Sequence, residues 1–170
     1  MSNYSPSSIA KIGDLNPKRG IVCRTAVTNN TEVFQAAAVN IFKVTGRIRI
    51  VSLDVEAITQ FSATASVPRW QFVSITPTVA LTDISAASAT LASLAVGKRV
   101  MLQSTALNTA QVIDAVAGIT VSPPDVMDIG WDGGLLYLAM DADVAQTSGT
   151  CVITLCYLPQ SEGAAAEALF

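Results

Sequence analysis

The sequence predicts an all-β fold, an antiparallel β-sandwich or jelly-roll-like barrel with an extended N-terminal arm. Two observations predict it: period-two alternation of apolar and polar residues, and roughly seven to nine short strand-like runs with glycine- and proline-marked turns between them. The chain has 170 residues, the size of one ordinary domain, and 51% of them are hydrophobic. Charged residues make up 14%, against an average of about 25%, which excludes general disorder. The apolar fraction leans on 25 alanines and 18 valines, with only 6% aromatics, so thin, small-residue packing is expected rather than one massive core. No run of 18 apolar residues is present, and no membrane partner is expected.

Residues 1–30 have the composition of an arm: Ser, Asn and Pro are frequent, and Lys18-Arg19-Gly20 marks a turn. The Ile21-Val22-Cys23 patch is too short for a secure element on its own. The body is expected over 31–160 and a small-residue tail over 161–170. In the body, Phe42, Val44, Gly46, Ile48 and Ile50 alternate with Lys43, Thr45, Arg47 and Arg49, as one half-buried strand would. The phase then shifts to Val51, Leu53 and Val55, the signature of a β-bulge or of a strand passing between sheets. A second strand runs from Val67 to Thr76, with Pro68 at its start. The Ala/Ser-rich stretch 80–97 is expected to be loop with at most a helical turn.

Short strands are expected at Arg99–Ser104, Gln111–Val116 and Ile119–Ser122. Val126–Trp131 and Leu135–Met140, joined by Asp132-Gly133-Gly134, predict a hairpin, since such steps supply positive φ. Thr150–Leu158 is apolar on both faces, as a central strand or one facing a neighbouring subunit would be. Roughly seven to nine strands in all fit a sandwich or barrel.

The net charge of −3 hides a segregation: all ten basic residues lie in the first 99 positions with five acids, and the remaining eight acids have no base among them. Opposite halves pair within one fold or between copies. The basic residues are spread among acids, so no nucleic-acid partner is expected. Cys151 and Cys156 are five apart in an extended run and point to opposite faces, so they do not bridge each other. A bond from Cys23 to one of them leaves an odd thiol, and buried free cysteines are the favoured expectation. The polar N-terminus has no signal-peptide core, which argues for residence or assembly in a reducing cytoplasm.

Little here suggests chemistry. The chain has no His, and it lacks nucleophile, phosphate-loop and metal-cysteine motifs. No catalytic residue, metal site or cofactor is expected, and the chain is not expected to be an enzyme. Asp125, Asp128, Asp132, Asp141 and Asp143 are spaced loosely enough for a calcium loop, but solvated acidic tips are the favoured reading. Asp54 and Glu56 share a strand face like a glycosidase pair; an exposed face opposite Arg47 and Arg49 on a partner strand is preferred. Trp70, Trp131 and Tyr137 are candidates for a sugar-stacking platform, weighed against roles as core or interface anchors.

Two segments, VNIFKVTGRIRIVSLDVEAIT from Val39 and SGTCVITLCYLPQSEGAAAEA near the C-terminus, resemble a widespread family of small structural proteins of tailed bacteriophages. Its pattern F-x-V-T-G-x-V-x-V-x-x-L-x-x-E is matched by Phe42, Val44, Thr45, Gly46, Ile48, Ile50, Leu53 and Glu56. Its later phrase W-x-L-x-Y-x-P-L-x-x-G-A is matched by Leu155, Tyr157, Pro159, Gly163 and Ala164. Gln160 departs from the pattern, as does the Cys151–Cys156 stretch. The resemblance implies a virion component assembled in the host cytoplasm, foremost a capsid decoration or cement protein. Its partners would be the major capsid protein and further copies of itself, a trimer suiting threefold positions of a shell. A tail or fibre-base component, or a glycan-binding surface module, is the alternative. The arm is expected to bind another chain, with Lys11, Lys18, Arg19 and Arg24 meeting acids there.

Overall fold

The fold was obtained as a computed structural model, which describes residues 21–76, 78–102, 112–113 and 127–170. Among these residues the elements run β1 (Val22–Asn29), α1 (Asn30–Val33), β2 (Val39–Thr45), β3 (Ile48–Ala57), β4 (Pro68–Thr76) and β5 (Val79–Asp83). They continue with β6 (Arg99–Met101), β7 (Val112–Ile113), β8 (Met127–Ile129), β9 (Leu135–Ala142), β10 (Thr150–Pro159) and β11 (Ala165–Ala168). Two antiparallel sheets pack face to face as a β-sandwich. One has the order β1-β10-β3-β6-β7, the other β11-β2-β9-β4-β5. β10 occupies one edge of β3 along its length, so β6 and β8 share the opposite edge, at Asp54–Glu56 and Ile48–Ile50 respectively.

The inner faces follow the alternation. Ile48, Ile50, Leu53, Val55 and Ala57 of β3 and Cys151, Ile153, Leu155 and Tyr157 of β10 are buried. They meet Phe42 and Val44 of β2, Leu136, Leu138 and Met140 of β9, and Trp70 of β4 in one core. This single core corrects the expectation of thin, small-residue packing: fully burying a side chain of this size contributes about 1.5–3 kcal/mol, and many small contributions add up despite the low aromatic content. The phase shift at Val51 is a β-bulge: Cys156 pairs with Ser52 and Tyr157 with Ile50, which leaves Val51 as the extra residue.

The alternation from Phe42 to Ile50 is not one strand. It spans β2 and β3, which lie in opposite sheets, and the chain crosses between them at Gly46 and Arg47. Val44 and Ile48 both point into the core, so period two persists through the crossing and conceals it. The expected hairpin around Asp132-Gly133-Gly134 is likewise a crossing. The turn forms, with the Gly134 N–H donating to the Trp131 carbonyl at 2.9 Å and Gly133 at φ +73°. Yet β8 pairs with β3 in one sheet and β9 with β2 and β4 in the other. A turn sequence sets local dihedrals, while the partner of each arm is chosen by long-range packing.

Composition placed the arm over 1–30 and a tail over 161–170, but β1 lies within the first range and β11 within the second. The 80–97 stretch begins with β5 and continues as turns and bends, without a helix. The expected strand Ile119–Ser122 lies outside the described residues.

Candidate interaction surface

Two crossings meet at one end of the sandwich. The Gly46 N–H donates to the Gly134 carbonyl at 2.8 Å, and a β-carbon on Gly130 would overlap the Gly46 carbonyl oxygen. Gly46 and Gly130 have φ of +71° and +90°, so glycine is required at both on two counts. The C-terminal turn closes over them. Ser161 Oγ accepts the Arg47 N–H at 2.9 Å, and the Gln160 N–H donates to the Arg47 carbonyl at 2.8 Å. Beyond the turn, β11 pairs with β2, and the buried Tyr157 hydroxyl accepts the Ala166 N–H at 2.9 Å.

β1 and β11 are the edge strands of their sheets and lie beside each other. Arg24 reaches across from β1, its Nε donating to the Ala166 carbonyl of β11 at 3.1 Å. Around this paired edge Ile21, Val27, Leu169 and Phe170 are exposed, Val27 at 67%. An edge strand with apolar side chains beside it is a place where another chain can add, although on β11 the Ala166 N–H and carbonyl are already taken by Tyr157 and Arg24. Residues 1–20 lead directly into this edge, through Ile21 and then β1.

A disulfide joins Cys23 of β1 to Cys156 of β10, whose Cα atoms are 4.1 Å apart as directly opposed partners. This corrects the favoured expectation of buried free cysteines; the alternative, a bond from Cys23 that leaves one odd thiol, is the one that forms. The antiparallel register turns both side chains to the outer face, a placement that depends on strands far apart in sequence. Cys151 alone remains free and buried, and burial pushes its thiol up to about 12.

Among the described residues the charge segregation resolves in part within the chain. Arg49 donates to both carboxylate oxygens of Asp128 at 2.6 and 2.9 Å, Arg69 holds Asp141 at 2.7 Å, and Arg47 lies 3.9 Å from Asp132. Each of these joins the basic first part to the acidic last part. The Arg49 guanidinium holds the Asp128 carboxyl below its usual range, and Asp128 raises Arg49 in return. Asp83 accepts from Gln71 Nε2 at 2.6 Å and lies 3.4 Å from Arg69. Asp143 accepts the Val67 N–H at 2.7 Å.

Glu56 faces Arg99 of β6 at 2.6 Å. The expected partners Arg47 and Arg49 are elsewhere: Arg49 lies on the same strand as Asp54 and Glu56, and Arg47 immediately precedes it. Cross-strand register, with Glu56 opposite Arg99 and Arg49 opposite Asp128, explains the choice.

The three aromatic candidates do not share a surface. Trp70 is fully buried, opposite Met140 on the inner face. Tyr137 sits three positions from Met140, on the outer face between Lys43 and Val73. Trp131 is 36% exposed at the crossing end, edge-on to Phe72 at 6.4 Å between ring centroids. A sugar-stacking platform built from all three is therefore excluded by their placement. Of the basic candidates, Lys11, Lys18 and Arg19 lie outside the described residues. The Arg24 guanidinium is held by carbonyls of its own chain, at Ala166 and Cys23.

Sequence reasoning missed Gly130, Ser161 and Gln146. Gln146 is buried and ties two loops at the other end of the sandwich, accepting from Ser62 Oγ at 2.6 Å and donating to the Thr64 carbonyl at 3.0 Å. The clustering of Gly130, Gly133 and Gly134 was the available signal for the first of these. Comparison with known proteins finds no matching family model, no matching curated protein and no matching solved structure.

Proposed function

We propose that this chain is a structural protein of a tailed-bacteriophage virion, a capsid decoration protein that binds the outer shell and contacts neighbouring copies through its N-terminal arm. The observation that carries the proposal is the convergence of the two segments that resemble the phage family. Thr45, Gly46, Ile48 and Ile50 meet Tyr157, Pro159 and Ala164 around one crossing. Two phrases far apart in sequence thus belong to one packed unit of this chain, which supports reading them together.

The paired edge of β1 and β11 supports the same reading. A cement protein needs a stable body and a segment that leaves it toward a neighbour, and residues 1–20 join the body at that edge. Lys11, Lys18 and Arg19 are assigned to acids on the neighbouring chain. Arg24 is withdrawn from that set because its own chain engages it.

The test uses purified particles stripped of the protein. Full-length chain is expected to co-sediment with them, and a chain lacking residues 1–20 to lose most of that binding while keeping its circular dichroism spectrum. Failure of the full-length chain to bind particles overturns the proposal.

A further inference from the structure

We infer that the Cys23–Cys156 disulfide is a redox-dependent clamp on an edge strand, holding the first half of β1 on β10 when oxidised and releasing it when reduced. The inference stands on the placement of the two cysteines and does not depend on the virion reading.

β1 is an edge strand with one partner, β10. Its burial is uneven. Ala26 and Thr28 in the second half are buried, whereas Cys23, Arg24 and Thr25 in the first half are exposed and Val22 is half-buried. The second half is also tied down at its end, where the Asn30 N–H donates to the Gly149 carbonyl at 2.9 Å and Asn30 Nδ2 to the Ser148 carbonyl at 3.1 Å. The first half has ladder hydrogen bonds, the Arg24 bridge to Ala166 and the disulfide. Local opening starts from ends with few buried contacts. Cys23 is the second residue of the strand, at the end where such opening begins. Without the bond, fraying would proceed as far as Ala26 and release Val22 to Thr25, about 13 Å of extended chain at ~3.3 Å per residue.

The same placement makes the bond reversible. Cys23 is exposed and Cys156 half-buried on the outer face, so a small thiol can reach the sulfurs. With glutathione disulfide as oxidant, the Cys23 thiolate attacks one of its sulfurs and releases a glutathione thiolate. The Cys156 thiolate then attacks Cys23 sulfur in the mixed disulfide and expels the second glutathione. The protein loses two electrons and two protons, and both are recovered in two molecules of reduced glutathione. Cys151 is buried on the inner face and its thiolate is scarce, so it does not compete in the exchange.

The experiment is hydrogen–deuterium exchange of the full chain, oxidised with glutathione disulfide or reduced with dithiothreitol, read on peptides covering 21–26 and on peptides from β3 and β9. Alkylation mass spectrometry should first show one thiol, Cys151, in the oxidised chain, labelled only after denaturation. Reduction is expected to speed exchange over 21–26 at least tenfold and to leave β3 and β9 unchanged. Cys23→Ser should behave as the reduced chain with or without reductant. Equal exchange over 21–26 in both states overturns the inference, as does native alkylation of Cys23 and Cys156 after glutathione disulfide treatment. Loss of protection throughout on reduction also overturns it, since the bond would then hold the whole fold rather than one half-strand.

Discussion

Gly130 packs directly against the carbonyl of Gly46, with no room between them for a methyl group. The contact joins two of the places where the chain passes from one sheet to the other, β2 to β3 and β8 to β9, and it lies beside the C-terminal turn at Ser161. Gly130→Ala should therefore destabilise the protein by about 3 kcal/mol or more, combining overpacking with a positive φ. Gly133→Ala is the internal control. Its φ is also positive, at +73°, but nothing lies within 4 Å of an added β-carbon, so about 1 kcal/mol is expected. Urea denaturation of both variants checks the difference; equal losses would mean that the close approach has no energetic weight.

Tyr157 links the inner face of β10 to β11 through one buried hydrogen bond. Tyr157→Phe keeps the ring and removes the acceptor of the Ala166 N–H, at a cost of about 1–3 kcal/mol. Exchange of the Ala166 amide should rise more than that of Ile153, which pairs within the central ladder.

Asp128 gives the pH dependence a direction. Its folded pKa lies below the ordinary 3.8, chiefly through the hydrogen bonds from Arg49. The unfolded carboxylate takes up its proton first as pH falls, so the stabilisation is complete above the ordinary value and is lost on acidification through the lowered one. Thermal melts at pH 7 and pH 3 should show a smaller acid-induced drop in Asp128→Asn than in the parent chain. The pair is partly solvent-exposed, so the difference will be modest and reduced further by salt.

At the opposite end, Gln146→Ala should cost about 2 kcal/mol by leaving Ser62 Oγ and the Thr64 carbonyl without their buried partner. Proteolysis within 58–66 should accelerate in that variant. Unchanged cleavage would show that the loop is held by other contacts, among them Phe61 against Phe34 at 5.4 Å.

The sandwich was legible in the sequence because side-chain alternation reports which face a residue takes, and the bulge at Val51 was legible as a change of phase. The crossing at Gly46 was not, because Val44 and Ile48 keep the same phase across it. The Asp132-Gly133-Gly134 turn was visible, but the sheet each flanking strand joins depends on β3 and β2, far away in sequence. The disulfide was hidden for the same reason: Cys23 and Cys156 face each other only through the β1–β10 register, across 133 positions. Charge segregation left pairing within the fold and between copies equally open, and the individual partners were not legible: Arg47 and Arg49, expected opposite Asp54 and Glu56, lie against Asp132 and Asp128, and Arg69 against Asp141, because cross-strand register selects them.

The proposed function puts this sandwich on the outer shell of a phage particle, with its β1–β11 edge toward a neighbour. Electron cryomicroscopy of particles assembled with the full chain tests it most directly. Density for the sandwich is expected on the outer capsid surface, with the segment before Ile21 running onto an adjacent subunit. Particles that assemble fully and carry no such density anywhere on the shell would contradict it.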